Sequence, residues 1–179
     1  MCVILKVMLQ LSKAILGRPV MSLRTGGQVA VVAGTIINPN NLKIEGLYCQ
    51  DSINKKQQLV LLYQDIRDVI AQGVVVNDHD VLTDPDELIR LKDTMKLGFE
   101  LLGKQVVSNS KRKLGKVNDY AFEPSTMFVQ KLYVSQSLLK NLSTGGLSVD
   151  RNQIVEITNR KIVVQDPLQG VPATAVSAV

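Results

Sequence analysis

Leu16-Gly17-Arg18-Pro19-Val20-Met21-Ser22 returns later in the chain as Leu102-Gly103-Lys104-Gln105-Val106-Val107-Ser108, at an offset of 86 residues. Further along, Ala33-Gly34-Thr35-Ile36 matches Leu114-Gly115-Lys116-Val117 at an offset of 81, the shift being assigned to a longer first hairpin at Thr25-Gly26-Gly27-Gln28. Leu47-Tyr48 and Leu132-Tyr133 stand 85 apart, and Ile66, Val69, Val74, Val75, Val76 and Asp78 match Ile154, Ile157, Ile162, Val163, Val164 and Asp166 at 88. A repeat of about 70 residues is long enough to fold as a small domain, which a solenoid unit is not.

Within each copy the pattern is of short strands divided by turn chemistry. The first copy predicts strands over 19–23, 29–37, 42–49, 58–63 and 74–76. The second predicts them over 105–109, 113–122, 128–135, 146–149 and 161–164. Asn38-Pro39-Asn40-Asn41 is a turn by mechanism, since proline fixes φ and Asn tolerates the left-handed region. Leu42, Ile44 and Gly46 alternating with Lys43 and Glu45 describe a strand with one wet face. Short antiparallel strands that close on themselves remove their own edges. The expected fold is therefore mainly β, as two tandem small antiparallel β-barrels joined by a short helix.

That helix is expected over 83–97. Asp84 serves as N-cap, Pro85 as first helical residue and Glu87 as N3, with Leu88, Leu91 and Met95 as an apolar stripe and Gly98 as the stop. The stripe should cover the seam between the barrels. The chain is thus divided into an extension at 1–9, repeat one at 10–82, the linker helix, repeat two at 98–166, and a flexible uncharged tail at 167–179. The repeat begins just after Met8, which predicts that translation starts there.

Composition narrows the function classes. The 179 residues are 45% hydrophobic and 4% aromatic, with a net charge of +5. Residues 1–90 hold nine basic and nine acidic side chains, whereas 91–179 hold twelve and seven, so the basic excess belongs to the second copy. Two cysteines, Cys2 and Cys49, without CxxC spacing point to free thiols in a reducing, cytoplasmic setting. His79 is the single histidine, which excludes any metal site needing two imidazoles. The apolar run Val3–Leu11 carries Lys6 and Gln10 and is about half of a membrane span, so no membrane insertion is expected.

The opening motifs at Leu16–Ser22 and Leu102–Ser108 resemble the PRC-barrel domain family. So do Gly34 and Gly115 in the second strand, and Asp65-Ile66-Arg67-Asp68-Val69 with Asn152-Gln153-Ile154-Val155-Glu156-Ile157 before a last valine-rich strand. The resemblance covers roughly residues 10–166. It is to domains found in the photosynthetic reaction-centre H subunit and in the RimM-type ribosome maturation factor. It implies a non-enzymatic adaptor for protein–protein interaction or assembly, with a protein partner, a homodimer as a further possibility, and no cofactor. Ribosome-assembly or RNA binding is the alternative by analogy.

Three motifs bear on chemistry. Gly98-Phe99-Glu100-Leu101-Leu102-Gly103-Lys104-Gln105 has a P-loop skeleton, but Gln105 replaces the magnesium-binding hydroxyl and Glu100 repels phosphate. Asp78, Asp80, Asp84, Asp86 and Glu87 around His79 lack the glycine and terminal glutamate of a calcium loop. They read as a solvated connection, with His79 an exposed loop residue and a small metal-dependent enzyme the remote alternative. Lys111, Arg112, Lys113 and Lys116 form the densest basic cluster, in a hairpin of copy two, and are the candidate anion or RNA contact.

Overall fold

The computed structural model describes residues 8–135 and 146–166. The expected tail at 167–179 lies outside the described residues, as does most of the extension. Strands in chain order are β1 Gln10–Leu11, β2 Pro19–Ser22, β3 Gln28–Asn38, β4 Lys43–Asp51, β5 Gln58–Leu62, β6 Ile66–Ile70, β7 Gly73–Val76 and β8 Leu82–Thr83. After the helix α1 Lys92–Lys96 come β9 Gln105–Ser108, β10 Lys113–Phe122, β11 Val129–Ser135, β12 Leu147–Asp150, β13 Ile154–Ile157 and β14 Lys161–Val164.

The fold is mainly β, and its strands form two mixed sheets rather than closed antiparallel barrels. The first runs β6-β7-β2-β3-β4-β5-β8, and the second β12-β11-β10-β9-β14-β13 with β1 added on β10. Among the described residues neither sheet joins its own ends. The pairs β2·β7 and β9·β14 are parallel, the other ladders antiparallel. The valine-rich strands explain this arrangement. Val74 and Val76 in β7, and Ile162 and Val164 in β14, are fully or almost fully buried, while Val75 and Val163 between them are only partly so, although each strand has a neighbour on both edges. One face of each strand turns into the core, and the run of branched apolar residues hides that alternation in the sequence.

Strand by strand, the second sheet retraces the first. Gly17 N–H donates to Val32 O at 2.9 Å and Gly103 N–H to Val117 O at 2.8 Å, while Val32 and Val117 donate back to Arg18 and Lys104, both at 2.9 Å. Gly17 and Gly103 sit at φ 72° and 77°, the left-handed conformation that glycine adopts without steric cost. Val32 thus corresponds to Val117 at an offset of 85, which corrects the alignment of Gly34 with Gly115. Asp119 stands where the first copy has Gly34. Only one residue, not five, separates the two hairpins: Ser22 N–H bonds Gly27 O, and Ser108 N–H bonds Arg112 O.

Copies also meet along an approximate two-fold axis. Lys43 and Phe128, 85 residues apart, form an antiparallel bridge, with Ile44 N–H donating to Met127 O at 2.8 Å and Val129 N–H to Leu42 O at 2.9 Å. Each bond is the image of the other. Leu42 and Met127, also 85 apart, both hold positive φ, 53° and 60°. Tyr120 likewise meets its own counterpart, its hydroxyl donating to Thr35 Oγ1 at 3.3 Å. Buried residues of both copies, among them Ile15, Val20 and Leu47 with Val106, Phe122 and Leu132, belong to one continuous core.

The linker departs from the expected helix. Asp84 does cap, accepting from Asp86 N–H at 2.9 Å, but the chain then makes only a single 3-10 turn at Pro85–Glu87. α1 has five residues. So short a helix is not stable by itself and depends on its packing. Leu88, Leu91 and Met95 pack on Ile36, Val60, Tyr48 and Leu62. The stripe therefore covers the outer face of the first sheet, not the seam. Gly46 permits this closeness, since a Cβ there would stand 3.4 Å from Leu91 Cδ2 and 3.0 Å from Leu61 O.

Candidate functional site

Repeat-equivalent positions are filled differently along one strand edge in each sheet. β2 pairs with β3 only as far as Val31, and the Arg18–Val32 bond ends the contact. Beyond it the edge of β3 from Gly34 to Ile37 takes no strand among the described residues. On β10 the corresponding edge is occupied. Gln10 pairs with Phe122 and Leu11 with Ala121, while Ser12 Oγ donates to the buried Asp119 carboxylate and Lys13 Nζ lies 4.0 Å from its other oxygen. By the repeat offset, the segment that would fill the β3 edge is 96–100. That segment instead leaves the end of α1 through Gly98, at φ 53°.

A cleft of about 350 Å³ remains between that stretch and the β3 edge. Its walls are Ala33 to Ile37 on one side and Thr94, Met95 and Gly98 to Leu102 on the other, closed at the ends by Leu16, Tyr48, Gln58 and Tyr120. The volume lies at the lower end of the range that takes small molecules or single side chains. Burial pushes the Tyr120 phenol up to about 12, against the hydrogen bond to Thr35, and burial also raises Tyr48. Both phenols are therefore neutral donors at physiological pH. Among the described residues Glu100 is the only charged one in the wall, and no His, Cys or Lys lines it. Such a lining can hold apolar groups and satisfy a few hydrogen bonds; it has no nucleophile paired with a base.

The basic hairpin does not border this cleft. Lys111, Lys113 and Lys116 are exposed, while Arg112 is engaged, its guanidinium 3.1 Å from Asp166 Oδ1. Ser110 donates to the other Asp166 oxygen at 2.8 Å. Copy one repeats the device: Arg24 lies 2.8 Å from Asp78 Oδ2, and Ser22 donates to Asp78 Oδ1 at 3.1 Å. The backbone N–H of His79, with Ser22 and Arg24, holds the Asp78 carboxyl below its usual range against the effect of burial. Arg112 thus mirrors a structural role on the neutral copy.

His79 is half-buried, not an exposed loop residue. Its Nε2 lies 2.9 Å from Oδ1 of the buried Asp51. Burial disfavours the Asp51 charge, but the His79 bond and the N–H groups of Asn54 and Ile53 outweigh it and hold the pKa down. Asp51 is 28 residues from His79, too far for spacing to connect the two. Among the described residues no group of three His, Cys, Asp or Glu side chains could hold a metal ion. A second cluster lies by the two-fold axis. The ammonium of Lys43 is 3.7 Å from the Tyr63 ring centre, and Arg151 is 4.6 Å from that of Phe128. Each copy holds one such pair, and cation and ring have exchanged positions: Lys43 corresponds to Phe128 and Tyr63 to Arg151. Among the described residues no helix is long and apolar enough to cross a membrane.

Sequence spacing does not reveal the cleft, because its lining comes from six separate places between Leu16 and Tyr120; Gly34 stands out in the sequence, but by itself. Comparison with profiles of known families and with characterised proteins returns no match to this chain.

Proposed function

We propose that this chain is a non-enzymatic adaptor, a tandem PRC-barrel-like protein that binds a partner protein through the cleft on its first sheet. The observation that carries this reading is the difference between the two strand edges. One is filled by the chain's own Gln10 and Leu11, with Ser12 bonded beside them, and the equivalent one, among the described residues, is open over a lined cleft. The mostly apolar wall, with its neutral phenols and the single carboxylate of Glu100, suits binding better than proton transfer.

Ala33 provides the test, because it is exposed at the cleft and outside the core. Ala33→Arg should leave thermal unfolding within about 0.5 kcal/mol of the parent protein and abolish retention of a partner identified by cross-linking. A partner kept equally by both proteins would place binding elsewhere. Mass in solution decides between a partner protein and self-association as a homodimer. The second reading, an RNA or ribonucleoprotein contact, rests on the exposed Lys111, Lys113 and Lys116 of the basic hairpin.

A further inference from the structure

We infer that the open edge of β3 between Gly34 and Ile37 binds an extended peptide segment of a partner protein, adding it as an antiparallel strand in the way β1 is added to β10. This inference rests on the adaptor reading above and names the chemistry of the bound partner. Three observations support it. The two edges are related by the repeat, 34–37 against 119–122, and the chain seats its own strand on one of them. Among the described residues the other edge carries no equivalent strand, the chain there forming the short helix and turn at 92–98, and the cleft lies between the two. Where the occupied edge carries Asp119 to hold Ser12 and Lys13, the open edge carries Gly34, so no side chain fills the slot at that position.

The chemistry of the slot selects its occupant. An added strand is held mainly by main-chain hydrogen bonds, with side chains pointing alternately to the two walls. Among the lining residues one group is Thr35 and Tyr120, joined by a hydrogen bond, with Ile37 beside them in sequence, and a second is Ile36, packed with Tyr48 and Met95. Both want apolar side chains, with one hydroxyl or amide that can meet a phenol. Glu100 as the single charged wall residue disfavours a segment containing Asp or Glu, by like-charge repulsion. The partner segment is therefore short, extended, apolar at alternating positions and free of acidic residues. The seated segment Leu9-Gln10-Leu11-Ser12-Lys13 already has this composition.

The experiment uses the full chain, isotope-labelled for amide NMR, titrated with a synthetic peptide of the sequence Met8-Leu9-Gln10-Leu11-Ser12-Lys13-Ala14. Saturable shifts are expected at the amides of Gly34 to Ile37 and across the linker from Thr94 to Leu102. The same peptide N-methylated at alternate residues keeps its side chains but loses its donors, and should bind at least tenfold more weakly. Ala33→Arg should remove the shifts. Shifts confined to Asp119–Phe122, an N-methylated peptide that binds as well as the parent, or no saturable shift at millimolar peptide would each overturn strand addition. None of these results bears on partner retention by Ala33→Arg, so failure of the peptide chemistry is distinguishable from failure of the adaptor reading.

Discussion

Gly17→Ala and Gly103→Ala test the correspondence between the two copies through backbone strain alone. Both glycines lie in the left-handed region, at φ 72° and 77°, and a Cβ built on either meets no heavy atom within 4 Å. No clash contributes, so the folded state bears only the conformational cost of an L-residue there, about 1–2 kcal/mol, and with about 0.4–1 kcal/mol regained through the unfolded chain the net loss is about 1 kcal/mol. For a chain of this size each kcal/mol lowers Tm by about 2–4 °C, so each variant should melt about 2–4 °C below the parent. The sign is diagnostic, because Gly→Ala at an ordinary φ stabilises by about 0.4–1 kcal/mol through the unfolded chain. Gly27→Ala supplies the control, since that glycine has no positive φ and its Cβ would meet only Thr25 Oγ1, at 3.6 Å. Urea unfolding at constant m-value, with melting by circular dichroism, reads all three. A neutral or stabilising change at both positions would refute the strained conformation. A cost at one and none at the other would refute their equivalence.

Asp51→Ala removes the acceptor of His79 and of two backbone N–H groups, and should cost about 1–3 kcal/mol at neutral pH. Because the folded pKa of Asp51 is lowered, its contribution is present above the unfolded carboxylate value of about 3.9 and is lost as pH falls through the folded one; parent and variant stabilities should converge in acid unfolding curves. Burial pushes the Cys49 thiol up to about 12, so in a Cys2→Ser background a thiol reagent at pH 8 should find no reactive group until the protein is unfolded. If the second copy binds RNA, neutralising Lys111, Arg112, Lys113 and Lys116 together should weaken binding and flatten its salt dependence by roughly 0.7–0.9 in log-log slope per lost phosphate contact; since Arg112 is engaged with Asp166, the three lysines should carry most of that change.

What the sequence made legible was local. The strand at 113–122 matches β10 and that at 161–164 matches β14, because apolar runs and turn residues announce themselves within a few positions. Asp84 is recognisable as a cap for the same reason. Pairing partners were not legible. Whether Val74–Val76 lies antiparallel in a barrel wall or parallel beside β2 depends on a neighbour more than fifty residues away, and a short valine run looks alike in both. The offset of 81 fails because it matches two glycines in similar surroundings, whereas the hydrogen bonds of Gly17 and Gly103 align Val32 with Val117. Length misleads at the linker, where correct capping chemistry and helical spacing give one 3-10 turn and one helical turn, since the stripe is shaped by the sheet beneath it. The cleft needed several such long-range facts at once.

The axis between the copies bears on how this protein can change. In a dimer of identical subunits any residue on a two-fold axis faces itself, so a substitution there is made twice and must be compatible with its own image. Lys43 would then confront a second lysine, and Tyr120 a second tyrosine. Carried on one chain, the same two positions vary independently, and here they have become Lys43 against Phe128 and Thr35 against Tyr120. Covalent fusion converts a symmetry constraint into two separate degrees of freedom for selection, and lets one edge be sealed while its twin stays open.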